Sequence, residues 1–297
     1  IKLCLPFRAF AKVSSKSELN FMLTKTVSTI YGDDIFYREM SNPADKVLWI
    51  HGYTMDSSLW LPLWSALPGW HHIGIDLPLH GASAKCTRQY SMPSFAQEIG
   101  QYALAHGVKH LVGLSLGAIL TLLIATEYPH AFRSVTLGSA GINGGPNDPH
   151  AGPRYIKLGN LYRQLGAGPW MTKVWMTSPP DIFKGAEAHP QLWQSLEAVI
   201  DQHLWTEFST HFMTRLIAYS QMKNIERIRQ IETPTMLVVG DQEMPAFKQA
   251  SDLLLETIPN CRQAWMEEAG HLCLLERPAR SAQLIHEHLA AHAEVAP

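Results

Sequence analysis

The stretch His110-Leu111-Val112-Gly113-Leu114-Ser115-Leu116-Gly117, running on into Ala118–Tyr128, decides the fold. His110–Leu114 reads as a buried strand, and Ala118–Tyr128 has the spacing of a helix. Between them stands the pattern G-x-S-x-G, with the strand before it and the helix after it, a context that separates it from an ordinary Gly/Ser turn. Flanking glycines permit a tight, strained turn that lifts the serine to the carboxyl edge of a sheet. The N–H of Leu116 then faces a developing oxyanion at the positive end of the helix. Ser115 is therefore the candidate nucleophile.

Outward from this turn, short apolar runs alternate with helical patterns. Phe21–Thr29 and Ile35–Met40 read as strands joined by a Tyr31-Gly32-Asp33-Asp34 turn. Val47–Ile50 ends in His51-Gly52, and His72–Ile75 ends in Asp76. Met92–His106 places Phe95, Ile99 and Tyr102 on one helical stripe. Ser134–Leu137 is the next buried strand. Alternation resumes with the strand Thr235–Val239, the helix Phe247–Thr257, the strand Arg262–Met266 and the helix Ala279–Ala291. The expected class is α/β, a mostly parallel central sheet with helices on both faces. Gly138–Gly152 reads as a long loop, and 154–222 reads as helical, with no buried-strand pattern. The expected domains are a core of 1–140 and 226–297 and a helical cap insertion of 141–225.

Composition narrows the function classes. The chain has 297 residues, 46% of them hydrophobic, ample for a sizeable core. A formal net charge of -2 gives no general attraction to nucleic acid or to anionic membrane. No run approaches the ~18 apolar residues of a membrane span; Leu111–Ala125 is interrupted by Ser115 and Thr121. Cys4, Cys86, Cys261 and Cys273 form no CxxC pair and match no zinc cluster, so free thiols in a reducing cytoplasm are expected. No metal or organic cofactor is called for. The composition is compatible with a homo-oligomer.

A serine hydroxyl needs a base. Of the fifteen histidines, His271 in Glu268-Ala269-Gly270-His271 follows the last strand, at the same sheet edge as Ser115. His286, His288 and His292 read as solvated positions on the terminal helix. The base needs an orienting carboxylate, and Gly240-Asp241-Gln242-Glu243 after Val239 offers both Asp241 and Glu243. A second oxyanion donor is expected from His51-Gly52-Tyr53-Thr54, at the N–H of Tyr53. Asp76 is read as a turn-tying carboxylate. The tryptophans and methionines of 154–222 are candidates for an apolar pocket over Ser115.

Together these motifs resemble the α/β-hydrolase superfamily over nearly the whole chain. The resemblance rests on His51-Gly52, Asp76-Leu77-Pro78 with His80-Gly81, the elbow at Ser115, Pro234 before its strand, and Gly270-His271 with Glu276-Arg277-Pro278. It implies a triad of Ser115, His271 and an acid on the Gly240 loop. The family's acid often lies three residues past that glycine, which favours Glu243 over Asp241. Glutamate departs from the commoner aspartate, although certain acyl-homoserine lactonases use it. Leu79 departs from a common glycine and puts the local loop geometry in question. Fold alone does not fix chemistry. The expectation is a serine hydrolase of a small or medium carboxylic ester, or a lactone. C–C bond hydrolysis by the same triad and a non-enzymatic binding protein are the alternatives.

Overall fold

The computed structural model describes residues 26–29, 34–86, 91–210 and 219–294. The 21–25 part of the first expected strand, most of the Tyr31-Gly32-Asp33-Asp34 turn, and Cys4 lie outside them. Eight strands form one sheet: β1 (Thr26–Thr29), β2 (Asp34–Met40), β3 (Lys46–Ile50), β4 (His71–Ile75), β5 (Val108–Leu114), β6 (Ser134–Gly138), β7 (Thr235–Gly240) and β8 (Cys261–Met266). Their order is β1-β2-β4-β3-β5-β6-β7-β8. The pairs β1–β2 and β2–β4 are antiparallel, and all later pairs are parallel.

Side chains alternate across this sheet, as strand geometry requires. Leu48 and Ile50 face one layer, with Phe95, Ile99 and Leu254. Val47 and Trp49 face the other, with Leu63, Trp64, Ile285 and Leu289. The first layer is built by α2 (Met92–Ala105), α3 (Leu116–Glu127) and the helix Pro245–Thr257. The second is built by α1 (Leu61–Ala66) and the helix Pro278–Ala291. Ser91 starts α2 with a reciprocal capping box to Ser94, and Pro93 sits in its first turn. The strong central strands are buried along their full length, which is why they read as apolar runs rather than alternating ones.

Between β6 and β7 the chain leaves the sheet. Helices α4 (Ala151–Leu165), α5 (Pro169–Thr177), α6 (Pro190–Asp201) and α7 (Glu207–Thr210) form an inserted cap. Among the described residues, no helix is long and apolar enough to cross a membrane.

Several histidines are structural. His288 is buried, not solvated as the sequence suggests: it faces the sheet and donates from Nε2 to the Val135 carbonyl at 3.1 Å. His286 does lie at the surface, where it accepts from Trp70 Nε1 at 3.2 Å. His72 accepts from Trp49 Nε1 at 3.1 Å and donates from Nε2 to the Leu67 carbonyl at 2.9 Å, which fixes a neutral tautomer. Burial pushes His72, His110 and His288 each down to about 4, from an ordinary 6.5. A base depressed in the fold stabilises fully above its unfolded value, and that contribution is lost as pH falls toward the folded one. The urea midpoint should therefore drop steadily from pH 7.5 to pH 4.5. Proton uptake on unfolding near pH 5.3 should fall by about one proton in His288→Gln. Calorimetry in buffers of different ionisation enthalpy measures that uptake.

Candidate active site

Strand β5 delivers Ser115 into a backbone conformation of φ 55° and ψ -118°, rarely held by a residue with a side chain. Two hydrogen bonds hold it there: its N–H donates to the Gly138 carbonyl at 2.9 Å, and its carbonyl accepts from Ile119 N–H at 3.0 Å. The first turn of α3 presses against the end of β3. A Cβ at Gly117 would stand 2.1 Å from the Ile50 carbonyl oxygen and 2.6 Å from that of His51. Only glycine lets the elbow close that tightly.

His271 arrives from the loop after β8. Its Nε2 lies 2.8 Å from Ser115 Oγ, and its Nδ1 lies 3.0 Å from each carboxylate oxygen of Glu243. Both His271 and Glu243 are buried. Burial raises the Glu243 carboxyl, but the charge and N–H of His271, with hydrogen bonds from Ser139 and the Met244 N–H, outweigh it and leave it below the usual range. The structure brings Glu243, and not Asp241, against His271. Asp241 is exposed and accepts from Ala269 N–H at 3.1 Å. It clasps the loop after β7 to the loop that carries His271, instead of capping the following helix or facing water alone. Backbone N–H donors, led by that of Glu268, hold its carboxyl below the usual range.

Glu276 has no assigned part in the sequence reading beyond its place in a motif. It is buried and accepts from Gly270 N–H at 2.6 Å and Leu272 N–H at 3.0 Å. These bonds bracket His271 on both sides. Its position in Glu276-Arg277-Pro278 was the available signal.

Tyr53 and Leu116, the residues expected to supply the oxyanion donors, line the same cavity as Ser115. Leu116 opens α3, where N–H groups have no acceptor within the helix. At Gly52 a Cβ would lie 3.4 Å from Ser115 Cβ, so the strand-end loop runs close beside the serine. The Gly52 carbonyl is held by His51 Nδ1 at 2.7 Å, while His51 Nε2 accepts from Leu77 N–H at 3.0 Å. Burial lowers the pKa of His51, and its Nε2 accepts from Leu77 as only a neutral imidazole can. A planar trans peptide directs the Tyr53 N–H opposite to that carbonyl. The Tyr53 hydroxyl donates to Glu207 of the cap, and Trp175 Nε1 donates to Thr54 Oγ1 at 2.7 Å. Glu207 lies 154 residues from Tyr53, and no local pattern pointed to it.

Asp76 accepts from Ser57 N–H at 2.8 Å and Ala82 N–H at 2.9 Å, tying the turns beneath the site. The departure at Leu79 leaves the turn formed. Leu79 takes φ 66°, the region glycine favours, and donates to the Ser83 carbonyl at 3.1 Å.

Ser115 opens into a cavity of about 460 Å³. Its apolar wall comes largely from Met55, Met92, Ile119, Ile142 and Phe247. Of the expected cap tryptophans and methionines, Trp175 lines it. Met171, Met176 and Trp205 are buried in the packing between cap and core, and Trp170 is exposed. Met213 lies outside the described residues. Among the described residues, no group of three or more His, Cys, Asp or Glu side chains is placed to hold a metal.

The family model that matches is that of the alpha/beta hydrolase family, over residues 47–284. The chain belongs to this family. It is 24% identical to a monoacylglycerol lipase, abhd6-B of Xenopus laevis, over 88% of this chain and 81% of that one. Its fold is similar to a thermophilic esterase from Thermogutta terrifontis, with a TM-score of 0.74, 20% identity, and coverage of 91% and 98%. It is also similar to the enol-lactonase from Burkholderia xenovorans, with a TM-score of 0.73, 17% identity, and coverage of 89% and 100%.

The crowding at the elbow gives a direct test. Gly117→Ala should lower stability by about 3 kcal/mol or more, since backbone carbonyls cannot step aside as side chains do. Urea denaturation followed by tryptophan fluorescence measures it.

Proposed function

We propose that this hydrolase cleaves a small or medium, partly apolar carboxylic ester, lactones included, through an acyl-enzyme on Ser115. One observation carries the reading: an unbroken hydrogen-bonded chain from Ser115 Oγ through His271 to Glu243, open to an apolar cavity at its serine end. Ser115 Oγ attacks the ester carbonyl as His271 Nε2 takes its proton. The N–H groups of Tyr53 and Leu116 receive the oxyanion, a type of contact worth about 10²–10³ in rate per donor. His271 then returns the proton to the leaving alkoxide, which departs as the alcohol. Water, deprotonated by His271, attacks the acyl carbon; the acid leaves and Ser115 regains its proton. Glu243 holds the imidazole with Nδ1 protonated and stabilises the imidazolium.

The esterase and lactonase likenesses support this class of bond. The cap, expected to span 141–225, supplies the part of the cavity that selects the acyl and alcohol groups.

A fluorophosphonate probe should label the wild type and not Ser115→Ala. Glu243→Gln should cut kcat on p-nitrophenyl butyrate by about 10²-fold or more, and Asp241→Asn should stay within about tenfold of wild type. Severe loss confined to Asp241→Asn would overturn the choice of acid.

A further inference from the structure

Arg154 projects from the first turn of α4 onto the cavity that holds Ser115. It is 3% exposed. Its Nη1 donates to the carbonyls of Trp175 at 3.2 Å, Ser178 at 2.9 Å and Pro180 at 3.0 Å. The guanidinium carbon stacks 3.9 Å from the centre of the Trp175 ring. Among the described residues, no carboxylate lies within ion-pair distance of it. Asp148 and Asp181 act on it only from farther away, and Asp148 already accepts from His150 N–H at 2.8 Å. Burial lowers its pKa to about 10, so it remains a cation at neutral pH.

A buried cation with no anion is costly. Here the cost is met on one side only. The side chain's hydrogen bonds to described residues all leave from Nη1, and Nε is buried with no acceptor at all. Nε is out of reach of water, so Nη2 is the nitrogen of Arg154 left to meet a ligand in the cavity.

Resting on the ester-hydrolase reading above, we propose that Nη2 of Arg154 binds an anionic oxygen, of a carboxylate or a phosphate, carried by the substrate. The preferred substrate is thus an acidic ester, such as the half-ester of a dicarboxylic acid, with its apolar linker along the cavity wall. The three carbonyls and the Trp175 face fix the guanidinium before substrate arrives, so little side-chain entropy is lost on binding.

The experiment compares kcat/KM for methyl hexanoate, monomethyl adipate and a phosphate-terminated methyl ester of equal length. The wild type should favour at least one acidic ester over the neutral one by about tenfold or more, and the better acid identifies the anion. Arg154→Met should abolish that ratio, whatever its absolute rates, and Arg154→Lys should retain part of it. No acidic preference, or an equal fall on all three esters, overturns the proposal and leaves Arg154 a support for the end of α5. In a parallel arm, the thermal midpoint of the wild type is followed with adipate, inorganic phosphate or hexanamide. A rise with either anion, absent with hexanamide and absent in Arg154→Met, is expected. No rise with either anion overturns the proposal. This arm reads Arg154 without turnover, so an inactive enzyme that still binds the anion counts against the hydrolase reading alone. It also tests the site by the wild type itself if Arg154→Met does not fold.

Discussion

The structure turns on the contact between the first turn of α3 and the end of β3. Gly117 approaches the carbonyls of Ile50 and His51 so closely that even a methyl group would overlap them. That approach forces the chain to reverse within the elbow and leaves Ser115 at φ 55°. Such a conformation costs about 1–3 kcal/mol and persists only where its surroundings over-determine it. Here a parallel sheet does so, because Ser115 N–H is locked to the end of β6 and α3 is packed among buried strands. The stability of the core is what keeps one serine hydroxyl out of the sheet and in reach of a base.

The same edge gathers the partners. In a parallel sheet every strand ends on one side, so the loops after β3, β5, β7 and β8 converge without any long reach. The loops after β7 and β8 are pressed together at Gly240, where a Cβ would meet the Ala269 carbonyl at 2.1 Å. Asp241 and Glu276 then stitch that junction by backbone N–H bonds on either side of His271. Hence a carboxylate on one loop and an imidazole on the next meet at hydrogen-bond distance, with neither residue chosen by local propensity.

This geometry explains what the sequence could convey. The elbow, the strand alternation and the placing of His271 were legible because each is written in a few contiguous residues. Asp241 and Glu243 were harder to separate, since both lie past the same strand. The backbone decides between them: Asp241 N–H still continues the β7–β8 pairing by donating to Met266, whereas Glu243 N–H closes a turn back onto Gly240. One side chain therefore stays at the surface and the other turns inward. His288 misled for a related reason, because a histidine on an amphipathic helix gives no sign of which rim it occupies until the Val135 carbonyl supplies its acceptor.

The cap was the least legible part because its contacts are long-range. Tyr53 meets Glu207, Thr54 meets Trp175, and Arg154 caps the end of a helix twenty-odd residues away. None of these pairs leaves a period or a motif. They share a consequence, however. The loop that carries the Tyr53 N–H is tied to the cap by two side-chain bonds, and Trp175 is at once an anchor for that loop, the stacking face for Arg154 and part of the cavity wall. A shift of α5 would move the cavity wall and the loop that carries Tyr53 together. The shape of the cavity and the position of the loop beside the serine are therefore mechanically joined through one indole ring, rather than residing in separate halves of the molecule.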